Sequence, residues 1–146
     1  MKHAEAHCKA RGTRLTSKRK QVLMGLHIAD KALSAYELHD VCLAELDAKL
    51  PVMSIYRILE FLEQEQLVHR LKLVNKYVAC SHITCDHEHL ISQFLICSGC
   101  QSVKEIGIEK ALIDQVEANV NKAGYQLLEP QIELTCLCKK CWATHQ

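Results

Sequence analysis

The chain has 146 residues, of which 49% are hydrophobic and 24% are charged, and its net charge is +1. This length allows one large domain or two small ones, and two small domains bury proportionally less surface, so each would gain stability from a bound metal. No apolar run approaches the ~18 residues that a membrane span needs, and the N-terminus lacks an apolar signal-peptide core, so we expect a cytoplasmic protein without a membrane partner.

Cysteine usage points to metal binding. The chain contains nine cysteines and nine histidines. A protein expected in the cytoplasm keeps its thiols reduced, and an odd number of cysteines would leave one unpaired, so metal ligation is favoured over disulfides.

Positive charge is concentrated at the N-terminal end. Residues 1–20 contain a single acid, Glu5, against Lys2, Lys9, Arg11, Arg14, Lys18, Arg19 and Lys20. A locally basic end on a nearly neutral chain predicts a phosphate-contacting surface, with a merely solvated charged face as the open alternative.

Three helices are predicted in the first 46 residues. A short polar helix over residues 2–11 ends at Gly12, and a second helix follows an N-cap at Thr16. Ser34 and Glu37 form the capping box of the next helix, with serine at the N-cap and glutamate three residues later. The residues expected in the core are Val22, Leu23, Leu26, Leu38, Val41, Cys42 and Leu46.

The next helix follows Pro51 and is expected to be capped by Ser54. Its apolar stripe has the spacing i, i+3, i+4 and i+7 and consists of Ile55, Ile58, Leu59 and Leu62. Tyr56 and Arg57 lie off that stripe near the helix start, where a recognition helix places its base-reading residues.

Two short strands, over residues 67–71 and 76–79, follow this helix. A winged helix-turn-helix has three helices followed by a two-stranded hairpin, and the last three of the four predicted helices and the two strands have this order. An unrelated small helical domain with a hairpin is the alternative. We therefore predict an α+β protein with a DNA-binding domain over 1–80, a polar hinge over 81–90 and a second domain over 91–146.

The second domain is predicted to begin with strands over 91–96 and 102–106 and to continue with a helix over 109–122 that ends at Gly124. A strand is expected over 125–136 because apolar and polar residues alternate there. The inward residues expected on the helix are Leu112, Ile113, Val116 and Val120.

Two C-x-x-C pairs, Cys97 with Cys100 and Cys138 with Cys141, carry a strong metal signal. A two-residue spacer lets both sulfurs face one ion, and two such pairs complete a tetrahedral four-cysteine zinc site that leaves no position for water. That arrangement indicates a structural zinc that clips the C-terminal tail to the first hairpin of its domain. Two independent redox dithiols are the alternative, although no βαβ context surrounds either pair.

A second constellation is weaker on spacing alone. Its candidates are His69, Cys80, His82, Cys85, His87, His89 and Glu105. A single histidine in a strand is more often an ordinary structural residue than a ligand. The argument for His69 is that it and Cys80 lie on, or just past, the two arms of the predicted hairpin.

Several of these motifs resemble, in the same order, those of the ferric uptake regulator family, and within it the zinc uptake regulator branch. They are R-L-T-S-K-R (14–19), S-A-Y-E-L (34–38), S-I-Y-R-I-L-E-F-L (54–62), L-V-H-R-L (67–71), Y-V-A-C (77–80), Q-F-L-I-C-S-G-C (93–100) and V-K-E (103–105). The resemblance covers nearly the whole chain. It implies a dimeric repressor with an N-terminal winged helix, a C-terminal α/β dimerisation domain and the structural zinc held by four cysteines.

The resemblance also implies a regulatory zinc site, which carries over to His69, Cys80, Glu105 and a histidine of the hinge. His89 is the nearest match for that histidine, and His87 stays an alternative because His89 stands one residue further from Cys97 than the family pattern has it. Two zinc ions per subunit are therefore expected, one structural and one regulatory.

The expected DNA-contacting residues are Tyr36, Tyr56 and Arg57 at bases and backbone, and Arg14, Lys18 and Arg19 at phosphates. Tyr36 and Arg57 match base- and backbone-contacting positions of the family. The family's recognition helix usually opens with Pro-Thr before Val-Tyr-Arg, whereas this chain has Met53 and Ser54 before Ile55.

We therefore expect a zinc-responsive repressor that binds double-stranded operator DNA as a homodimer and controls zinc uptake genes. An iron- or peroxide-responsive regulator of the same family is the alternative, and the Cys80 ligand argues against it. A zinc hydrolase is disfavoured because the implied site is full and no H-E-x-x-H pattern occurs, so neither an enzyme nor a small-molecule substrate is expected. A zinc-buffering protein would not explain the basic end or the predicted recognition helix.

Overall fold

The computed structural model describes residues 1–81 and 91–144, and the chain divides into two compact units, Met1–Cys85 (unit 1) and Asp86–Gln146 (unit 2). Apart from Ser81, the predicted hinge over 81–90 lies outside the described residues. The same holds for four candidate ligands, His82, Cys85, His87 and His89. Among the described helices, none is both long and apolar enough to cross a bilayer.

Unit 1 has the predicted winged helix-turn-helix order, in which helices precede a β-hairpin. Its elements are α1 (Lys2–Ala10), α2 (Ser17–Ala29), α3 (Ala35–Leu46), α4 (Val52–Gln64), β1 (Val68–Leu71) and β2 (Lys76–Ala79). The two strands pair antiparallel, with Val68 opposite Ala79 and Leu71 opposite Lys76. The predicted α+β class and the N-terminal winged helix are confirmed.

One continuous apolar cluster holds the helices of unit 1 together. The predicted core residues that are buried in it are Val22, Leu23, Leu26, Leu38, Cys42, Ile55, Ile58, Leu59 and Leu62. Val41 and Leu46 are only partly buried and pack against its edge. Burial also raises the pKa of the Cys42 thiol, as expected of a cysteine that acts as a small core residue.

Two of the three predicted N-cap residues occupy that position in the structure, and one of these two makes a capping hydrogen bond. Ser34 caps α3 as predicted: its hydroxyl accepts from the Glu37 N–H at 3.2 Å, and the Glu37 carboxylate accepts from the Ser34 N–H at 2.7 Å. Thr16 is the N-cap residue of α2, but its side chain makes no capping hydrogen bond.

The prediction that Ser54 caps α4 is wrong. The helix begins two residues earlier, at Val52, with Pro51 at the N-cap. Proline is pre-organised for this position with a φ of −58°, and its carbonyl accepts from the N–H groups of Ser54 at 2.9 Å and Ile55 at 3.1 Å. Ser54 therefore lies inside the first turn.

The hairpin is attached to the start of α3. Leu33 and Tyr77 exchange two backbone hydrogen bonds of 3.0 and 2.8 Å, which adds an isolated bridge to the outer side of β2. Next to this bridge, Lys76 Nζ lies 3.1 Å from Glu37 Oε1. Because Glu37 also belongs to the capping box, the N-terminus of α3 and the β1–β2 hairpin, which is the wing, share one network of contacts.

Unit 2 consists of a three-stranded sheet and two helices. Its elements are β3 (Ile91–Cys97), β4 (Val103–Ile108), α5 (Lys110–Lys122), β5 (Ile132–Cys136) and α6 (Lys139–Thr144). The sheet order is β4-β3-β5, with β4 antiparallel and β5 parallel to the central strand. β4 brings the chain back to the end of the sheet where β3 begins, and the segment that contains α5 leads from there to β5 on the other side of β3.

Unit 2 departs from the sequence expectations at two places. On α5 only Ile113 is buried, whereas Leu112 is 55% and Val116 is 40% exposed and Val120 is half-buried, because this unit covers only one narrow stripe of the helix. The strand expected over 125–136 is limited to Ile132–Cys136. Proline at position 130 has no N–H to donate to a ladder, so pairing begins only beyond it. The predicted stop at Gly124 is confirmed, with a φ of +83°.

Candidate metal centre and nucleic-acid interface

Unit 2 brings the four cysteines of the two C-x-x-C pairs together. Cys97 ends β3, Cys100 lies in the following turn, Cys138 precedes α6 and Cys141 lies on it. The parallel register sets Cys136 beside Cys97, so the tail leaves β5 directly next to the turn. The four sulfur atoms all lie within 4.8 Å of one another.

The spacing of these sulfurs suits a tetrahedral ion. The Sγ atoms of Cys100 and Cys138 are 3.8 Å apart. A tetrahedron with Zn–S distances of about 2.3 Å has an edge of about 3.8 Å, whereas a disulfide would need about 2 Å. All the cysteines that the structure describes are free.

Close packing around the cluster depends on Gly99, which sequence analysis did not single out. A Cβ atom at this position would lie 2.8 Å from the Sγ and 3.0 Å from the Cβ of Cys141. Any side chain would therefore displace that cysteine. The only sequence sign was a glycine inside the C-x-x-C turn, where a tight approach of backbone is common.

The thiols differ in acidity because their surroundings differ. Hydrogen bonds from the backbone N–H groups of Cys100 and Cys138 lower the pKa of Cys97 to about 6, the second of them at 3.3 Å. The Ser102 hydroxyl, 3.1 Å away, lowers the pKa of Cys100. Hydrogen bonding to the sulfurs of Cys138 and Cys97 raises the pKa of Cys141 to about 12.

The lowered pKa values of Cys97 and Cys100 favour the thiolate form that metal binding requires. Four thiolates this close would repel one another strongly, and a divalent soft cation removes that repulsion and displaces the remaining protons. The donor set, its spacing and the lowered pKa values of two of its thiols all fit Zn²⁺.

In unit 1, His69 and Cys80 offer a second pair of ligands. In the β1–β2 register His69 lies opposite Val78, and Cys80 follows two residues later, so the side chains of His69 and Cys80 share one face. Their ligand atoms lie within 4.8 Å of each other. Cys80 is buried, and its N–H donates to the carbonyl of Leu67 at 3.0 Å, which fixes its position.

The other expected ligands of the second constellation are described separately. Glu105 lies on β4 of unit 2 opposite Phe94 and is half-buried. One of its oxygens, Oε1, accepts a 2.6 Å hydrogen bond from Ser92 Oγ, which orients the carboxylate. His87 and His89 fall outside the described residues.

The exposed face of α4 carries the residues expected to read DNA. Met53, Tyr56 and Arg57 are exposed at i, i+3 and i+4, opposite the buried stripe of the helix. Tyr36, which is 65% exposed on α3, meets Tyr56 edge to face, with ring centroids 6.5 Å apart. Within residues 1–81 and 91–144, the Arg57 guanidinium makes no hydrogen bond or ion pair, so it is available to a ligand.

The basic N-terminal end is less uniform than its sequence suggests. Arg14 and Lys18 are exposed, whereas the Arg19 guanidinium lies 3.4 Å from the centroid of the Phe61 ring and donates to the Arg14 carbonyl at 2.6 Å. Two further cations are engaged in ion pairs, Lys20 with Glu5 and Arg11 with the buried Glu65. Sequence analysis missed these pairs, because the second joins residues 54 positions apart.

These features define a class: a winged-helix protein with a second α/β unit whose four clustered cysteines could hold a metal ion. The family model described as the ferric uptake regulator family matches residues 10–135, and the chain therefore belongs to this family. The zinc uptake regulation protein of Escherichia coli (strain K12) is 37% identical over 139 residues, which cover 94% of this chain and 78% of that protein.

Solved structures agree with this assignment. A zinc uptake regulator complexed with zinc and DNA has 32% identity and a TM-score of 0.84, over 97% of this chain and 92% of that one. A structure titled holo XcZur has 37% identity and a TM-score of 0.78, over 95% and 94% of the two chains. The iron-bound ferric uptake regulator of Francisella tularensis shares the fold at 22% identity and a TM-score of 0.59, over 90% and 96%.

Proposed function

We propose that this protein is a zinc-responsive transcriptional repressor, which binds operator DNA as a homodimer when its regulatory zinc site is filled and so controls zinc uptake genes. The likeness to a zinc uptake regulator in complex with zinc and DNA, over 97% of this chain, carries the proposal. The role is that of a cytoplasmic regulator, not an enzyme, and it needs no small-molecule substrate.

Cys97, Cys100, Cys138 and Cys141 are proposed as ligands of a structural zinc. The cluster leaves no open position for substrate or water, which suits a structural role better than a catalytic one. Its ligands come from the end of β3 with the turn after it and from the C-terminal tail, so zinc binding there would connect the tail to the end of β3. Folding of this unit and metal binding should then be one process.

His69 and Cys80 are proposed as two ligands of the regulatory zinc. The remaining ligands, Glu105 and His89, with His87 as the alternative, follow from the resemblance. The thiolate favours zinc over Fe²⁺, because soft sulfur ligands suit zinc. A shift of the DNA-competent population from 1:99 to 99:1 takes ~5.5 kcal/mol, which is well below the ~10–16 kcal/mol that structural zinc sites provide.

The ligand set of the regulatory site suggests how zinc would act. Its residues belong to both units and to the hinge, so filling the site would restrict their relative movement, and with it the separation of the two recognition helices in a dimer. Inside unit 1, the wing that carries His69 is bonded to the start of α3 through Leu33 and Tyr77. Through this contact, zinc binding at His69 would also affect the position of Tyr36, three residues after Leu33.

On DNA, Arg57 is proposed to read a base and Tyr36 to contact base or backbone, with Tyr56 beside them. A guanidinium forks onto the O6 and N7 atoms of guanine, and the exposed position of Arg57 on α4 suits this contact. Arg14 and Lys18 are exposed and suit phosphate contacts that weaken with salt. Arg19 is proposed to do the same, although its stacking on Phe61 limits its reach.

Homodimer formation is proposed through unit 2. This unit exposes a set of large apolar side chains that a single chain leaves in water, namely Leu112, Val116, Tyr125, Leu128, Leu134 and Trp142. Large apolar side chains exposed in this way suit an interface.

An iron- or peroxide-responsive role is the second candidate and is not favoured. The iron-bound relative shares 22% identity, against 32–37% for the zinc uptake regulators. The Cys80 thiolate also argues for zinc.

The test uses a duplex selected from a 30-base-pair randomised library by the zinc-loaded wild-type protein. Fluorescence anisotropy then follows binding at fixed salt while a chelator buffer sets free Zn²⁺. We expect tight binding only as zinc rises, and no zinc response in Cys80→Ser or His69→Gln. Cys136→Ser and His39→Gln are matched controls that should respond like wild type.

Two results would count against the proposal. An unchanged zinc response in Cys80→Ser and His69→Gln would remove both residues from the regulatory site. A response of the wild type to Fe²⁺ but not to Zn²⁺ under reducing conditions would favour the iron-responsive alternative.

A further inference from the structure

The first turn of α4 exposes a large apolar side chain, Met53, that the core does not use. This side chain is 66% exposed and lies at the second residue of the helix. The buried stripe of α4 is on the opposite side. Met53 instead shares its face with Tyr56 and Arg57, three and four residues further on.

The position of Met53 is where a recognition helix meets base edges. Winged and other helix-turn-helix proteins contact bases with residues near the N-terminus of this helix. In the major groove, thymine is the base that offers an apolar group, its C5-methyl, and apolar side chains contact it. Methionine is flexible and polarisable, so it adapts well to such a small apolar target.

The neighbours of Met53 on this face add to the argument. The Arg57 guanidinium is suited to guanine, and the rings of Tyr36 and Tyr56 pack edge to face. Four residues of helix advance by about 6 Å, and base pairs are spaced by about 3.4 Å, so Met53 and Arg57 reach positions about two base pairs apart.

We infer that Met53 is a specificity-determining residue that contacts the C5-methyl group of a thymine within about two base pairs of the guanine bound by Arg57. This inference rests on the proposed function and narrows the class of operator that the protein binds. Operators should carry a thymine at one fixed position in each half-site, and deoxyuridine, which lacks only the methyl group, should be a poorer substitute there.

The test combines a base change with a protein change. The probe is the duplex selected from the randomised library by zinc-loaded wild type, in which each thymine is replaced in turn by deoxyuridine in both half-sites. One buried methyl group is worth ~0.8 kcal/mol, which corresponds to about fourfold in affinity per half-site and about fifteenfold for both. Wild type should lose about this much at one thymine position.

Met53→Ala should bind the two duplexes equally, because the methyl group has lost its partner. Leu43→Ala, which shortens an exposed apolar side chain on α3, is the matched control and should keep the full deoxyuridine effect. Because Met53 is exposed and alanine favours helix, the variant should fold like wild type.

The outcomes separate this inference from the proposed function. A deoxyuridine effect that persists unchanged in Met53→Ala, or the lack of any sensitive thymine, would overturn the role of Met53 and leave the repressor intact. Failure of the zinc-loaded wild type to select any duplex would overturn both.

Discussion

The two units differ in how much of their own stability they supply. Unit 1 buries a continuous cluster that includes most of the fully buried leucines of its helices. The buried hydrophobic side chains of the described part of unit 2 are Phe94, Ile96, Cys97, Ile108 and Ile113. One of these five, Cys97, belongs to the four-cysteine cluster.

The two units are therefore stabilised in different ways. A domain of about 60 residues with so few buried side chains usually needs a metal, disulfides or a second subunit. Unit 2 has a four-cysteine cluster and an exposed apolar surface, which fit a metal and a second subunit. Unit 1 has a core of its own, and its exposed side chains include the apolar Leu43 and Met53 as well as the aromatic Tyr36 and Tyr56. Four experiments test this difference between the units, in order of decreasing expected effect.

The largest expected effect is loss of one cysteine of the cluster. Cys138→Ser should unfold unit 2 and leave unit 1 folded, because structural zinc sites contribute ~10–16 kcal/mol of binding free energy that is also folding free energy. Hydrogen exchange resolved by peptide would show protection lost over β3–β5 and kept over α2–α4. Cys136→Ser is the control and should retain protection and zinc. Equal protection in both variants would show that unit 2 folds without the cluster.

The next largest effect is expected from truncation of a leucine, and it should differ between the two units. Leu59→Ala should lower the free energy of unfolding of unit 1 by about 2–5 kcal/mol, since the side chain is fully buried. Leu112 is exposed on α5 of unit 2, so Leu112→Ala should change the free energy of unfolding by less than about 0.5 kcal/mol. This substitution should instead weaken self-association. Urea unfolding followed by circular dichroism, and sedimentation equilibrium, measure the two effects. Normal self-association of Leu112→Ala would remove this side chain from the proposed interface.

Two serines in unit 1 give a smaller effect. Ser34→Ala removes the hydroxyl that caps α3 and should cost ~1 kcal/mol of stability. Ser54→Ala should cost less than about 0.5 kcal/mol, because Pro51 occupies the N-cap position of α4. The two variants are compared by their urea unfolding midpoints, at an equal slope of unfolding free energy against urea concentration. A larger cost for Ser54→Ala would contradict the helix start at Val52.

The smallest effect is a pH dependence at Glu37. Hydrogen bonds from the Ser34 N–H, with help from Lys76, lower the pKa of this carboxyl in the folded state. Its stabilising contribution is therefore present above the unfolded pKa of about 4.3 and is lost as pH falls through the lower folded value. Because the side chain is 47% exposed, we expect only a few tenths of a kcal/mol.

Glu37→Gln should accordingly be less stable than wild type at pH 7 and equal to it near pH 2. Chemical unfolding at the two pH values measures the difference, and Lys76→Met should reduce it. A stability gap that widens on acidification would contradict the direction of the pKa shift.

Features set by neighbours in the chain were predictable. The capping box of Ser34 and Glu37, the buried stripe of α4 and the two C-x-x-C pairs are each complete within a few residues, so spacing alone identifies them. Conversely, the start of α4 was misjudged because serine is a preferred N-cap residue and Pro51 was interpreted only as a break before the helix, whereas the structure has Pro51 at the N-cap.

The sequence by itself thus determined the winged-helix order, the two cysteine pairs and the candidates at His69 and Cys80. Only the tertiary structure decided which of these meet, because contacts between distant residues depend on strand register and helix packing. The parallel pairing of β5 with β3 brings the tail cysteines to Cys97. The packing of α3 on α4 sets Tyr36 against Tyr56, and the narrow sheet of unit 2 leaves Leu112 and Val116 in water.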